Sequence, residues 1–212
     1  MKNQESPYPL SSYYLLRHFI PILFVLMLPV DLIAATITVS NANDAGAGSL
    51  RQAIIDATAG DTIDFAPAVF PAPSGATITL SSGELLVDKA LTISGGDVVT
   101  IDANNASRVF NIDDANASLV NVKLNGLVIS NGNSVAEGGA ILNKENLALS
   151  STVSNSTAAT TGGAIHNVDG ARCTLLNAQI FDNTAGTHGG GIYSGSNTQT
   201  DITNTIISGN RA

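Results

Sequence analysis

The sequence contains no Trp and a single Cys, and charged residues make up only 12% of its 212 positions. A helical bundle needs Leu, Glu, Lys and Arg on its faces, so this scarcity of long charged side chains argues against one. A disulfide framework is excluded, because Cys173 has no partner and no CxxC metal motif exists. The neighbours of Cys173 supply neither a base nor a second ligand, and a loop or half-buried position is expected for it. Lys and Arg number 9 against 17 Asp and Glu, with no basic cluster, which argues against nucleic acid as a partner. What the chain has in quantity is Gly, Asn, Ser, Thr and β-branched residues, a composition suited to short strands and many turns.

Phe19 to Val30 is an apolar run, preceded by Lys2 and Arg17 and followed by Leu32-Ile33-Ala34-Ala35. This layout predicts a secretory signal peptide over residues 1–35, with cleavage after Ala35. Twelve residues at about 1.5 Å each span about 18 Å of a hydrocarbon core roughly 30 Å thick, and Asp31 blocks an extension. The mature chain is thus expected to carry no transmembrane segment. Removing the leader takes away Lys2, Arg17, Glu5 and Asp31, so the net charge stays at -8.

Three stretches open on a Gly-Gly pair: Gly138-Gly139-Ala140-Ile141-Leu142-Asn143, Gly162-Gly163-Ala164-Ile165-His166-Asn167 and Gly189-Gly190-Gly191-Ile192-Tyr193-Ser194. Their spacings are 24 and 27 residues, and Ile129, Val153 and Ile180 each precede a pair by nine, with Ile207 opening a further copy. A period in this range marks a solenoid whose coils bury their apolar faces only by stacking. Apolar pieces such as Thr77-Ile78-Thr79-Leu80 and Leu127-Val128-Ile129 are short, β-branched and alternate with period two. Leucine-rich spacing and long helical stretches are both lacking, so the fold class is all-β, a parallel β-helix.

Aligned copies give inward ladders: Ile141, Ile165, Ile192; Ile129, Val153, Ile180, Ile207; and Leu124, Ala148, Leu175, Ile202. Asn177 and Asn204 fall where the inward phase changes parity, so they are expected in a tight turn, bonded to one another. Asn143, Asn167 and Ser194 form a second column of expected turn residues. All of the length difference is assigned to one outward corner, Lys144 to Leu147, Val168 to Thr174 and Gly195 to Asp201. Ser49-Leu50-Arg51-Gln52 has capping-box form, and Leu50, Ala53, Ile54 and Ala57 follow at helical spacing before Gly60. A helix from Ser49 to Thr58 is expected to lid the N-terminal coil. The chain therefore divides into a signal peptide over 1–35, a cap strand and helix over 36–61, and β-helix coils over 62–212. It reads as the beginning of a longer solenoid, whose C-terminal edge invites self-association.

The Gly-Gly-Ala-Ile stretches at Gly138 and Gly162, with Ile180-Phe181-Asp182-Asn183 and Ile207-Ser208-Gly209-Asn210, resemble the GGAI and FxxN repeats of polymorphic outer membrane proteins. Gly48-Ser49-Leu50-Arg51-Gln52-Ala53-Ile54 followed by Asp61-Thr62-Ile63 is similar to the CSLREAI-like N-terminal segment of bacterial extracellular β-helix repeat proteins. The resemblance spans Thr36 to Ala212 and implies a right-handed parallel β-helix, secreted or held at the outer membrane surface, often as an adhesin-like passenger. The chain departs from the pattern where the segment's Cys is missing and where Ser156 and Gly132 stand at the Asn position.

Parallel β-helices also carry polysaccharide lyases and hydrolases, which need paired carboxylates or an acidic Ca²⁺ cluster. Asp113-Asp114 is the best pair, but Asn111-Ile112 and Ala115-Asn116 around it read as a turn. Asp61 and Asp64 flank Ile63 and read as surface or capping residues. No HExxH, EF-hand, nucleophile elbow, P-loop or nonapeptide Ca²⁺ repeat occurs. The sequence thus nominates no catalytic, cofactor-binding or metal-ligating residue. His188 precedes Gly189 in a loop, matching Glu137 and Thr161 in the other copies. His166 stands in an outward column with Leu142 and Tyr193, which could stack on sugar rings or on a partner protein. Asn105, Asn116 and Asn155 head N-glycosylation triplets. The leading expectation is a secreted or cell-surface structural or adhesion module without catalytic activity, recognising a host or cell-surface glycan or protein. A carbohydrate-active enzyme or glycan-binding β-helix is the alternative.

Overall fold

In the computed structural model, which describes Met1 and residues 34 to 212, apolar alternation resolves into short strands stacked in parallel over about six turns. The apolar run Phe19 to Val30 lies outside the described residues. Among the described residues no helix is long and apolar enough to cross a membrane. In chain order the elements are β1 (Thr36–Val39), α1 (Leu50–Asp56), β2 (Thr62–Phe65), β3 (Ala76–Thr79), β4 (Leu85–Val87), β5 (Leu91–Asp102) and β6 (Phe110–Ile112). They continue with β7 (Asn121–Ser130), β8 (Asn133–Ser134), β9 (Ile141–Asn143), β10 (Asn146–Ser154), β11 (Thr157–Ala158) and β12 (Ile165–Asn167). The last are β13 (Arg172–Leu176), β14 (Gln179–Phe181), β15 (Thr184–Ala185), β16 (Ile192–Ser194), β17 (Gln199–Thr203) and β18 (Ile206–Ser208).

Three sheets wrap the core. The largest runs β1-β2-β5-β7-β10-β13-β17, with β3, β14 and β18 beside it. The second runs β4-β6-β9-β12-β16, and the third joins β8, β11 and β15. Ile141, Ile165 and Ile192 are in register, and Phe110 extends the column below. Ile129, Val153, Ile180 and Ile207 form the second expected column, and Ile101 extends it by one coil. Strands of period two put these side chains inward, and all but Ile192 and Ile207 are buried.

The third ladder is shifted by one residue from its expectation: Leu149, not Ala148, pairs with Leu124 and Leu175. β7 spends Gly126 and Leu127 where β10 spends only Ser151, so β10 is one residue shorter at this bend. The Ser151 hydroxyl replaces the missing peptide group, accepting from Leu127 N at 3.1 Å and donating to Leu124 O at 3.0 Å. The 24 versus 27 spacing is therefore divided between two corners rather than lodged in one. The variable loop is also shorter than expected, since Glu145, Leu147, Ala171 and Cys173 are buried.

Both Asn columns have clear physical roles, one of them different from that expected. Asn177 and Asn204 have φ of 54° and 47°, and Asn204 Nδ2 donates to Asn177 Oδ1 at 2.6 Å, as parity change demands. Asn143 and Asn167 are not turn residues but fully buried ends of β9 and β12, facing inward. A third turn column, Asn131, Asn155, Asp182 and Gly209, also has positive φ. The Gly-Gly pairs are required twice over. Gly138, Gly162 and Gly189 have φ of 61°, 69° and 65°, while a Cβ on Gly139 or Gly163 would strike the carbonyl of the matching glycine one coil on.

Helix α1 begins at Ser49, whose hydroxyl accepts from Gln52 N at 3.2 Å. Only half of the capping box forms, because Gln52 Nε2 donates to Asp56 Oδ1 at 2.8 Å. Leu50, Ala53 and Ile54 enter the common core. Arg51 donates to Asp44 Oδ1 at 2.8 Å and to the Gly83 and Glu84 carbonyls at 2.7 Å each, tying the helix to the turn before β4. Burial opposes ionisation of Asp44, but the Arg51 guanidinium and the Ser81 and Ser82 donors outweigh it and hold the carboxyl well below the usual range.

Candidate functional site

The outward side of β4, β6, β9, β12 and β16 brings five residues into one column: Leu86, Asn111, Leu142, His166 and Tyr193. Each lies one residue past the inward ladder, so strand alternation aims it outward. Leu86 is 50% exposed, and Asn111, Leu142, His166 and Tyr193 are half-buried. The His166 and Tyr193 rings are tilted by 38° with centroids 5.0 Å apart. Thr161 Oγ1 pairs with His166 Nδ1 at 2.7 Å. Partial burial pushes the imidazole below its usual pKa, more strongly than the Glu137 carboxylate raises it. The lowered pKa favours the neutral imidazole, whose ring face lies beside the Tyr193 phenol. His188 is exposed and forms a bridge with Thr161 one coil away, without joining His166 in a ligand set.

At the other end of the column Arg108 spans two coils. It donates to Glu84 Oε2 at 2.6 Å, Gly138 O at 2.8 Å, Glu137 O at 2.9 Å and Ser134 Oγ at 3.2 Å. Glu84 also accepts from Asn111 Nδ2 at 3.0 Å, while Asn111 Oδ1 is buried without a partner. A shallow cavity of about 250 Å³ opens between Glu84, Arg108, Asn133 and Val135. The column thus offers an apolar and aromatic end and a hydrogen-bonding end on one sheet.

Of the carboxylates considered from the sequence, Asp113 and Asp114 are committed to one loop. Asp113 Oδ2 meets Lys144 Nζ at 2.6 Å and Oδ1 accepts from Ala115 N at 2.9 Å, so the Lys144 ammonium lowers its pKa. Asp114 Oδ1 accepts from Asn116 N at 2.8 Å, and Ala115 has φ of 60°, which is the expected turn. Glu145, which sequence reasoning passed over, lies beneath this loop. Its two oxygens accept from Asp114 N at 3.1 Å and Val120 N at 2.8 Å, and burial pushes its pKa up. The inward alternation Asn143, Glu145, Leu147, Leu149 was the available signal. Asp61 caps the turn after α1, and Asp64 is half-buried in β2 with Oδ1 unpartnered. Cys173 is not in a loop but buried in β13, and burial drives its thiol up to about 12, which leaves it unreactive. No group of three His, Cys, Asp or Glu able to hold a metal occurs among the described residues. No protein-family model, no curated protein and no solved structure matches the chain.

Proposed function

We propose that this chain is an exported β-helix module of the bacterial cell surface, serving structure and adhesion rather than catalysis. The observation that carries the reading is the His166–Tyr193 ring pair on an outward sheet column that continues through Leu142. Neutral rings held at a fixed tilt present apolar faces to sugar rings or to a partner's side chains at little entropic cost. The likeness to polymorphic outer membrane protein repeats supports the same reading, and with it a right-handed coil whose N-terminal end is closed by α1. The internal ladders support it too, since a module built of stacked equal coils extends a binding face simply by repetition.

Binding to immobilised bacterial and host glycans, compared between the parent chain and Tyr193→Ala, tests the proposal. The expectation is saturable binding weakened at least tenfold by the substitution, with unfolding unchanged. Turnover of a polysaccharide that is abolished by Asp113→Ala or Asp114→Ala would establish the enzyme reading instead.

A further inference from the structure

A buried carboxylate sits where the chain enters the first coil. Asp61 is 3% exposed. Its Oδ2 accepts from Thr58 N at 2.8 Å and Thr58 Oγ1 at 2.9 Å, and its Oδ1 accepts from Ala35 N at 2.7 Å. None of the ion pairs among the described residues involves Asp61. A buried charge held only by neutral donors is the uncommon case, because desolvation is normally offset by a counter-ion. Among the described residues, the donor to Oδ1 is the Ala35 nitrogen, an atom that a single chemical step converts into a cation.

Ala35 also belongs to the fold through its other end, since its carbonyl accepts from Thr62 N at 2.8 Å. Among the described residues Ala34 is exposed and makes no hydrogen bond. The coil's hydrogen bonding therefore begins at Ala35. Cleavage after Ala35, the position expected from the leader pattern, would remove both contacts and leave Asp61 Oδ1 and Thr62 N without these partners.

We infer that export processing hydrolyses the Ala34–Ala35 peptide bond, so that the mature chain begins at Ala35 and its ammonium is the counter-ion of Asp61. The inference rests on the proposed export of the chain. Water adds across the amide: Ala34 leaves as the carboxylate of the leader, and the Ala35 nitrogen takes up protons to become an ammonium. The catalyst is the leader-removing endopeptidase of the export pathway, whose demand for a small residue before the cut is met by Ala34 as well as by Ala35. Cutting one residue earlier than the leader pattern suggests converts a neutral donor into a charged one without moving an atom of the coil.

The test is to express the full-length chain in an exporting host and to measure the intact mass and N-terminal sequence of the exported protein. A start at Ala35 is expected. A start at Thr36 overturns the inference and leaves the export reading standing, whereas a chain that is exported uncleaved or not exported overturns both. A second measurement follows thermal unfolding of the exported protein from about pH 7 to about pH 9.5, before and after selective Nα-acetylation. An ammonium held by a carboxylate has its pKa raised above the usual 7.7–8.0, so its stabilisation is complete below that range and is lost as pH rises through the raised value. The free amine should therefore lose about 2 to 4 °C across this window, and the acetylated protein should start lower with a flat profile. Identical profiles would overturn the inference, as would a pH step that persists in Asp61→Asn.

Discussion

Inside the stack, Asn143 Nδ2 donates to Asn167 Oδ1 across 2.5 Å, joining two successive coils through side chains alone. Asn143 also donates to Glu145 O at 3.1 Å and Arg172 O at 2.9 Å, and its Oδ1 accepts from Glu145 N at 3.1 Å. Asn143→Ala leaves two buried groups, Glu145 N and Asn167 Oδ1, without the side-chain partner they have here, while the Glu145 carbonyl keeps Arg172 N. Each unsatisfied group costs about 1–3 kcal/mol, so the expected loss is at least ~2 kcal/mol, seen as a fall of the denaturant midpoint with an unchanged slope. A variant as stable as the parent would show that water reaches this corner.

Ile165→Asp should be far more damaging. Ile165 is fully buried in register between Ile141 and Ile192, inside the apolar core. An unpaired buried carboxylate costs several kcal/mol, enough to unfold at least the coils that touch it. Unchanged thermal unfolding would mean that the ladder is not what holds the coils together.

The pH dependence of His166 follows from its half-buried position. Its folded pKa lies below the unfolded value near 6.5, so the unfolded chain binds more protons between the two values. Stability should fall as pH drops from about 6.5 toward the folded pKa and level off below it. Nuclear magnetic resonance titration of the His166 ring checks the direction, and His166→Phe should remove this step.

The β17 and β18 end presents apolar side chains to water: Ile202, Ile206 and Ile207 are 51%, 60% and 43% exposed. A row of unpaired strand groups beside them is a template for further pairing. A chain ending at Ala212 should therefore self-associate with rising concentration, by light scattering, while Thr205→Pro weakens association and leaves the coils from Gly138 to Asn183 folded. A parent chain that stays monomeric, with residues 202–210 as protected from hydrogen exchange as 175–183, would refute this.

The repeat made most of the fold legible, because Ile141, Ile165 and Ile192 are placed by a fixed offset from glycines that no other residue can replace. Ala148 was misplaced for the opposite reason. Ser151 does with a side chain what Gly126 and Leu127 do with backbone, and an offset count cannot register a hydroxyl standing in for a peptide. The buried Asn143 and Asn167 were misread because Asn at a corner suits a positive φ and an inward amide equally well. The outward face of His166 was legible from parity, whereas its stacking on Tyr193 depended on two coils meeting in register. Glu145 escaped notice since its partners, Asp114 N and Val120 N, are main-chain groups that carry no residue signature.

The parallel registry between β10, β13 and β17 has a mechanical meaning. Hydrogen bonds between strands point along the solenoid axis, so tension applied at the two chain ends loads one coil boundary at a time and peels the stack rather than shearing it. Extension should then advance in sawtooth steps of one repeat, 24 or 27 residues, each releasing roughly 80 to 95 Å of chain. A molecule of this kind yields gradually under a pull, dissipating work in small increments while the coils not yet reached keep their shape.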